Sequence, residues 1–320
     1  MRYLVSGGSG YLGSHLVYEL LGQDHTVVVF DNYSGSLRTI FPSSVNQVRG
    51  SITSTEDLRK LSKLGPFDGI YHLAAKKSVH ESAINPEMYW KTNVDGTRNI
   101  LEFCVEQSIP NFVFTSSAAV YGALDVERLI KESDLTNPIN VYGQTKQEAE
   151  KLVGEFARAN QIAAIALRCF NLAGAKDVRL FDKNGENVIP IIMRCLQDKE
   201  TFKIFGTNLK TSDGTCIRDY INVLDAAKAH LAAMKFLHYS IPNSFQSLNI
   251  SSGVGTSVNK LIELASECSG RELTTAAGLT REGDPQSSIG DPRLATQLLD
   301  WAPTSSIEKT VDESFKAYQF

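Results

Sequence analysis

No run of apolar residues in this chain approaches the roughly 20 needed to cross a bilayer, so a membrane-spanning reading is set aside. Positive charge is also in short supply. The chain has 32 lysines and arginines against 36 aspartates and glutamates, a formal net charge of −4 over 320 residues. That balance gives no basic field for a nucleic acid, and any anion must be gripped locally. Cysteine is scarce and scattered: Cys104, Cys169, Cys195, Cys216 and Cys268 are odd in number and contain no C-x-x-C pair. Neither a disulfide frame nor a zinc site is suggested, and the thiols read as small buried hydrophobes. There is no internal repeat or low-complexity segment, and Met1-Arg2 leads into an apolar stretch without a secretory leader. These absences predict a cytoplasmic protein with no metal, nucleic-acid or membrane partner. With 42% hydrophobic residues, a chain of this length is expected to bury a large core split over two lobes.

What is present begins with Leu4-Val5-Ser6-Gly7-Gly8-Ser9-Gly10-Tyr11-Leu12-Gly13. The apolar run Tyr3 to Val5 breaks into glycines, and apolar residues resume at helical spacing through Leu12, Leu16, Leu20 and Leu21. The pattern predicts strand, tight turn and helix, a cradle for phosphate. Glycine is needed where a Cβ would keep the backbone from a pyrophosphate, and the helix start supplies N–H donors and partial positive charge. A glycine-rich hairpin would give the same letters; the strand before and the helix after separate the two.

Thr26-Val27-Val28-Val29-Phe30 is a β-branched run of the kind buried on both faces of a parallel sheet. It ends in Asp31-Asn32, eighteen residues past Gly13. An acid there accepts hydrogen bonds from the adenosine ribose and repels a 2′-phosphate, which favours NAD over NADP; the alternative is a solvated turn aspartate. Further strands are predicted at Val45 to Val48, Gly69 to Leu73, Phe112 to Phe114 and Ala163 to Phe170. Helices are predicted from Ser54 to Leu64, Pro86 to Gln107 and Tyr142 to about Asn160. Strands alternating with helices specify a doubly wound α/β fold. Small residues after the fourth strand, Ala74-Ala75, let a cofactor lie against the backbone, and Thr115-Ser116-Ser117 ends the fifth with hydroxyls that are either caps or substrate contacts.

Tyr142 and Lys146 lie four apart, on one face of a helix. A phenol with a pKa near 10 is a poor base at neutral pH. A fixed ammonium and a cationic nicotinamide beside it would favour the phenolate; the bland alternative is an exposed Tyr/Lys pair. Past residue 170 the composition turns polar and loop-like. There follow a helix Ile189 to Lys199, a strand Phe202 to Phe205, a return crossing Thr215 to Ile221, a helix Val223 to Leu237, a strand Ser247 to Ile250, a helix Ser257 to Cys268 and a charged loop at Arg281-Glu282-Gly283-Asp284.

These motifs, together with Lys77-Ser78-Val79-x-Glu81-Ser82, Ser117-Ala118-x-Val120-Tyr121-Gly122, Arg168-x-Phe170-Asn171 and Arg218-Asp219-Tyr220-Ile221, resemble the extended short-chain dehydrogenase/reductase family over essentially the whole chain. Within it they resemble the UDP-galactose (UDP-glucose) 4-epimerases. The resemblance implies a Rossmann-like, NAD-binding domain at 1–170 with a return segment near 215–250, and a smaller nucleotide-sugar-binding α/β domain at 171–320. It implies a homodimer, for which the helices at 86–107 and 142–160 offer a four-helix contact. Tyr142 would take the proton of the sugar's 4-hydroxyl, Ser117 would hold or relay it, and Lys146 would hold the nicotinamide ribose and depress the Tyr142 pKa. The C4 hydride would pass to NAD and return to the other face of a 4-keto sugar, with the cofactor retained.

By the same resemblance, Gly7, Gly10, Tyr11, Leu12 and Gly13 would line the pyrophosphate, with Asp31, Asn32, Ser51 and Ile52 at the adenosine end. Leu73, Ala74, Ala75, Lys77, Asn93 and Phe170 would complete the cofactor site. Asn171, Asn187, Phe205, Arg218, Arg281, Asp284 and Ser288 would hold the UDP-hexose, the arginines binding phosphate in a two-pronged way. For Arg218 and Arg281 the alternative is a surface ion pair with Asp219 and Glu282. Three positions depart from the pattern. Gly50-Ser51 stands where these epimerases commonly have an aspartate after glycine, and the loop after Asn171 is shorter. Ser288 is small where a bulky gate restricts some relatives to plain sugars, so UDP-N-acetylhexosamines are expected to fit as well. Two rivals lack their chemistry: a 4,6-dehydratase needs an acid and a base after the serine and a decarboxylase a glutamate, where this chain has Ala118-Ala119. A non-catalytic NAD sensor would have no use for a tuned Tyr142.

Overall fold

The residues described in this computed structural model are 1–35, 41–124, 128–182, 185–280 and 285–318. The apolar runs become strands and the amphipathic stretches become the helices that cover them. The first part contains β1 (Arg2–Ser6), α1 (Tyr11–Leu21), β2 (Thr26–Asp31), β3 (Asn46–Arg49), α2 (Thr55–Arg59) and β4 (Gly69–His72). It continues through α3 (Val79–Ile84), α4 (Pro86–Trp90), α5 (Gly96–Glu106), β5 (Asn111–Ser117), α6 (Val141–Ala159) and β6 (Ala163–Cys169). Then come β7 (Asn171–Ala173), α7 (Val188–Asp198), β8 (Phe202–Phe205), β9 (Ile217–Asn222), α8 (Val223–Leu237) and β10 (Ser244–Ile250). The chain finishes with β11 (Gly255–Ser257), α9 (Val258–Ser269), β12 (Thr275–Gly278), β13 (Ser287–Ser288), α10 (Arg293–Leu299) and α11 (Ile307–Tyr318).

Seven strands form one sheet in the order β10-β6-β5-β4-β1-β2-β3, with every pairing parallel. The winding reverses between β1 and β4, so their carboxyl ends leave a crevice, the place where open α/β sheets bind ligands. Leu16, Leu20, Met234 and Trp301 belong to the core that includes α1 and α8 residues, while Phe30, Ile100, Leu152 and Val153 belong to the one that includes α5 and α6. A third core, with Ile192, Met193, Leu261 and Val311, joins α7, α9 and α11 around the smaller sheets.

Three sequence expectations change. The stretch 86–107 is helical throughout, but its turn at Lys91–Asp95 is π-helical, and the separate helix α3 precedes it. The segment 215–221 does not enter the main sheet. Its strand β9 is central to a small sheet with β11, β13 and β7; the strand that returns to the main sheet is β10, seven residues long rather than four. Finally, β4 ends at His72, which leaves Leu73 in the loop that faces the glycine turn.

Candidate active site

The glycine turn is built by close approach. Gly7 has φ +74°, and a Cβ on it would lie 2.5 Å from the backbone nitrogen of Ala74. A Cβ on Gly13 would lie 2.2 Å from the carbonyl oxygen of Gly7. Only glycine fits these two positions. The N–H of Gly10 donates to the Gly7 carbonyl at 3.1 Å, and no side chain caps α1 at Gly10. An open helix start beside small residues at the β1/β4 crevice fits a dinucleotide pyrophosphate. Leu12 is in the core behind the turn. At the end of β2, the Asp31 carboxylate accepts from the backbone N–H of Ser9 at 3.0 Å and of Tyr33 at 2.8 Å. Burial pushes its pKa up, against these hydrogen bonds. Asn32 is exposed and caps its own turn through the Ser34 N–H. The Ser51 N–H donates to Asp57 at 3.0 Å, and Ile52 is buried.

The loop after β4 is braced from behind. Asn93 is 1% exposed, accepts from the Lys76 N–H at 2.8 Å and donates to the Lys76 carbonyl and Thr145 hydroxyl, each at 3.0 Å. Its amide is therefore occupied in shaping Ala74-Ala75-Lys76. Lys77 is exposed and pairs with Asp182 at 2.7 Å. Tyr11 donates its hydroxyl to the Gly174 carbonyl.

Ser117, Tyr142 and Lys146 come together at the carboxyl end of the same sheet. Asn140 caps α6 by accepting from the Gly143 N–H at 2.8 Å. Gly143 lets the first turn of α6 lie on the turn after Ser117, since a Cβ there would be 2.6 Å from the Ala119 carbonyl oxygen. The Ser117 side chain favours the ionised Tyr142 phenol, yet burial dominates and pushes the phenol up to about 12. Lys146, 4% exposed, donates to the Thr115 carbonyl at 2.7 Å and lies 4.7 Å from the centre of the Phe114 ring. Burial lowers it to about 8, while Cys169 and Glu150 oppose that shift. The expected depression of the phenol by Lys146 is absent from the protein by itself: burial sets the shift, and Lys146 is not among the groups that move it. Phe170 follows Cys169, buried at 4%.

The small sheet groups residues from the second half. Asn171 on β7 lies opposite Tyr220 of β9 and donates to the Asp219 carbonyl at 3.0 Å. Ser288 on β13 lies directly opposite Arg218 of β9. Arg218 donates to the Ile217 carbonyl at 2.9 Å. Asp219 is fully buried and takes its hydrogen bonds elsewhere, so the alternative of a surface Arg218–Asp219 pair is removed. Asn187 precedes α7, exposed and with no side-chain cap bond. Phe205 is partly exposed at the end of β8, with the Lys203 ammonium 5.7 Å from its ring centre. Arg281 and Asp284 lie outside the described residues.

Residues 3–245 match the NAD dependent epimerase/dehydratase family. The chain belongs to that family. A UDP-glucose 4-epimerase of Halalkalibacterium halodurans is 36% identical over 330 residues, covering 98% of this chain and 95% of the relative. The crystal structure of a UDP-glucose 4-epimerase from Stenotrophomonas maltophila, with bound NAD and formylated UDP-arabinopyranose, is 30% identical with a TM-score of 0.94, covering 100% of this chain and 98% of that one. The UDP-Glc/GlcNAc 4-epimerase of Campylobacter jejuni is 31% identical with a TM-score of 0.87, over 99% of each chain.

In this epimerase/dehydratase family member, sequence reasoning passed over the polar groups behind the site. Glu150, four residues past Lys146, accepts from Ser116, Ser247 and Arg168. Its spacing from Lys146 was the available signal, since both fall on the buried face of α6. His15, on the buried face of α1, had no pattern to mark it, and Asp219 stood in the Arg218-Asp219-Tyr220-Ile221 motif with no role of its own beyond a surface pair with Arg218.

Proposed function

We propose that this enzyme interconverts UDP-galactose and UDP-glucose by inverting C4 through a 4-keto sugar, with UDP-N-acetylhexosamines as further substrates. NAD in the glycine cradle supplies the hydride acceptor and donor. Tyr142 accepts the proton of the 4-hydroxyl and returns it after the ketone has presented its other face. Ser117 donates to the phenolate and orients the hydroxyl. Lys146 contributes the positive charge that holds the phenolate, each pKa unit of lowering being worth about 1.4 kcal/mol. The bound sugar and cofactor exclude water, so that charge acts in a low dielectric. The observation that carries the reading is the grouping of Ser117, Tyr142 and buried Lys146, whose ammonium donates to the Thr115 carbonyl of β5, on the same sheet end as the Gly7–Ala74 contact.

The residues after Ser117 favour epimerisation over elimination. Ala118 and Ala119 offer methyl groups where dehydration needs an acid and a base. In the second domain, taken as 171–320 apart from the α8–β10 segment that returns to the main sheet, Asn171, Asn187, Phe205, Arg218, Arg281, Asp284 and Ser288 hold the UDP-hexose. The small Ser288, on the strand opposite Arg218, leaves room for an acetamido group, and the UDP-Glc/GlcNAc 4-epimerase of Campylobacter jejuni takes its name from both kinds of sugar. The chain acts as a homodimer through the α4–α5 and α6 helices, where Trp90 and Val105 are exposed. Its place of action is the cytoplasm, a reading supported by five free thiols; no helix among the described residues is long and apolar enough to cross a membrane.

Purified protein given UDP-galactose without added NAD tests all of this. UDP-glucose should form, and acid denaturation of the same sample should release NAD. A 4-keto-6-deoxy product, or no product from protein that contains NAD, would overturn the proposal. UDP-N-acetylgalactosamine in parallel tests the wider range, which fails if only the plain sugar turns over.

A further inference from the structure

Asp219 takes no part in the chemistry above, yet it is 0% exposed at the centre of the small sheet. Its two carboxylate oxygens hold two different segments. Oδ1 accepts from the backbone N–H of Ser252 at 2.8 Å and from its hydroxyl at 2.7 Å. Oδ2 accepts from the backbone N–H of Gly253 at 2.9 Å and of Gly290 at 3.3 Å. Ser252 and Gly253 follow β10, the last strand of the main sheet, while Gly290 follows β13. A buried carboxylate needs such donors to stay ionised, since burial pushes it up to about 6 against them.

These partners surround the residues assigned to substrate. Asp219 follows Arg218 on β9, its carbonyl accepts from the Asn171 amide, and Ser288 lies two residues before Gly290 and opposite Arg218. The 287–291 segment has a second support on its other side. Ile130 donates to the Ile289 carbonyl and accepts from the Asp291 N–H, each at 2.8 Å. Gly290 is pressed between these supports: a Cβ on it would be 2.5 Å from the Phe170 ring.

We propose that Asp219 is a positioning residue for the substrate: by fastening Gly290 and the 252–253 turn to β9, it keeps Ser288, Arg218 and Asn171 on one face where the UDP-hexose binds. This deepens the function proposed above and rests on its assignment of that face. Asp219 touches neither sugar nor cofactor, so its loss is felt in substrate affinity. Holding the rest of the enzyme together would instead be felt everywhere.

Asp219→Asn separates these cases. The asparagine oxygen can still accept from Ser252, but its NH2 group meets the N–H groups of Gly253 and Gly290, and both bonds are lost. With the NAD-containing enzyme and UDP-galactose, KM should rise about tenfold or more, the scale of losing a hydrogen bond to a charged group. The kcat should stay within about threefold and NAD content should be unchanged, the pattern of weakened uniform binding. An unchanged KM overturns the proposal, as does a fall in kcat and NAD content alongside the rise in KM. Arg218→Met serves as the control: if it leaves KM unaltered, the substrate face itself is misassigned. If it raises KM while Asp219→Asn does not, the role of Asp219 alone falls. Should Asp219→Asn fail to fold, Ser252→Ala removes a single donor, and a KM indistinguishable from the parent enzyme's would overturn the proposal.

Discussion

Burial moves Tyr142 up to about 12 and Lys146 down to about 8, opposite to what proton abstraction near neutrality asks of the phenol. On the proposed mechanism, the cofactor cation and the sugar complete the pair when they bind. Tyr142→Phe should lower kcat by about a thousandfold, within the range for general acid–base groups, while the purified variant keeps its NAD. Near-normal epimerisation by that variant would sink the mechanism. Lys146 supplies a pH prediction. Its ammonium discharges as pH rises through about 8, so kcat should fall along an alkaline limb near or below that value, and Lys146→Arg, which stays charged, should flatten the limb in a profile from pH 6 to 10. At this scale the sequence disclosed the residues with a conformational or chemical signature. Gly7 and Gly13 announce close approach, and Tyr142 and Lys146 share a helix face. What stayed hidden depends on distant partners. Asn93 is named by resemblance as a cofactor contact and Asp219 as a pairing partner of Arg218, but that each fastens backbone segments is legible only once Lys76, Thr145, Gly253 and Gly290 are seen around them.

Helix α6 carries Tyr142 and Lys146, and its place in the molecule is set one turn further on. Glu150 and Arg168 form a buried ion pair at 2.5 Å. Ser116 of β5 and Ser247 of β10 complete the carboxylate at 2.8 and 2.7 Å. Arg168 also reaches the Tyr121 hydroxyl at 2.9 Å, and that hydroxyl donates to Asn249 at 2.7 Å. One helix and three strands are thereby held in mutual register behind the site. Glu150→Ala should destabilise the fold by about 3–5 kcal/mol, because it strands a buried guanidinium. Glu150→Leu with Arg168→Met should cost clearly less than the two single changes added together, a coupling that urea denaturation of the four proteins in the cycle would measure. Elements were legible where their letters matched their burial, as in Val27-Val28-Val29-Phe30 of β2. Helix α11 escaped because its buried stripe reads Thr310, Val311, Ser314, Ala317 and Tyr318, interrupted by the polar Thr310 and Ser314. Strands β7, β11 and β13, three residues or fewer, are too short for alternation to register.

Across the whole molecule, three histidines are fully enclosed as neutral rings. His72 of β4 hydrogen-bonds Ser6 at 2.6 Å and Thr97 at 3.0 Å. His230 of α8 bonds the Ala226 carbonyl at 2.8 Å and Thr115 at 2.9 Å. His15 of α1 accepts from the Lys176 N–H at 3.2 Å, next to the Tyr11–Gly174 contact that ties the glycine-turn helix to the segment after β7. Burial lowers all three, His15 and His230 to about 4 and His72 to about 3. Each is protonated in the unfolded chain below about 6.5 but resists protonation in the fold, so stability is full above that pH and drains away as pH falls toward 4. Asp219 acts in the other direction. Raised to about 6, it takes up a proton in the fold before the unfolded chain does, and it returns some stability between about pH 6 and 4. Three histidines against one aspartate leave these four groups with a net uptake of about two protons on unfolding near pH 5, a contribution of about 3 kcal/mol per pH unit from them. Urea denaturation from pH 7 to 4.5 should show that decline, and His230→Gln, which keeps a side-chain amide at the site but cannot titrate, should remove about one proton from it. A stability that is flat over this range would mean that these rings are protonated within the fold, and that the contact between the glycine turn and the second lobe does not depend on a neutral His15.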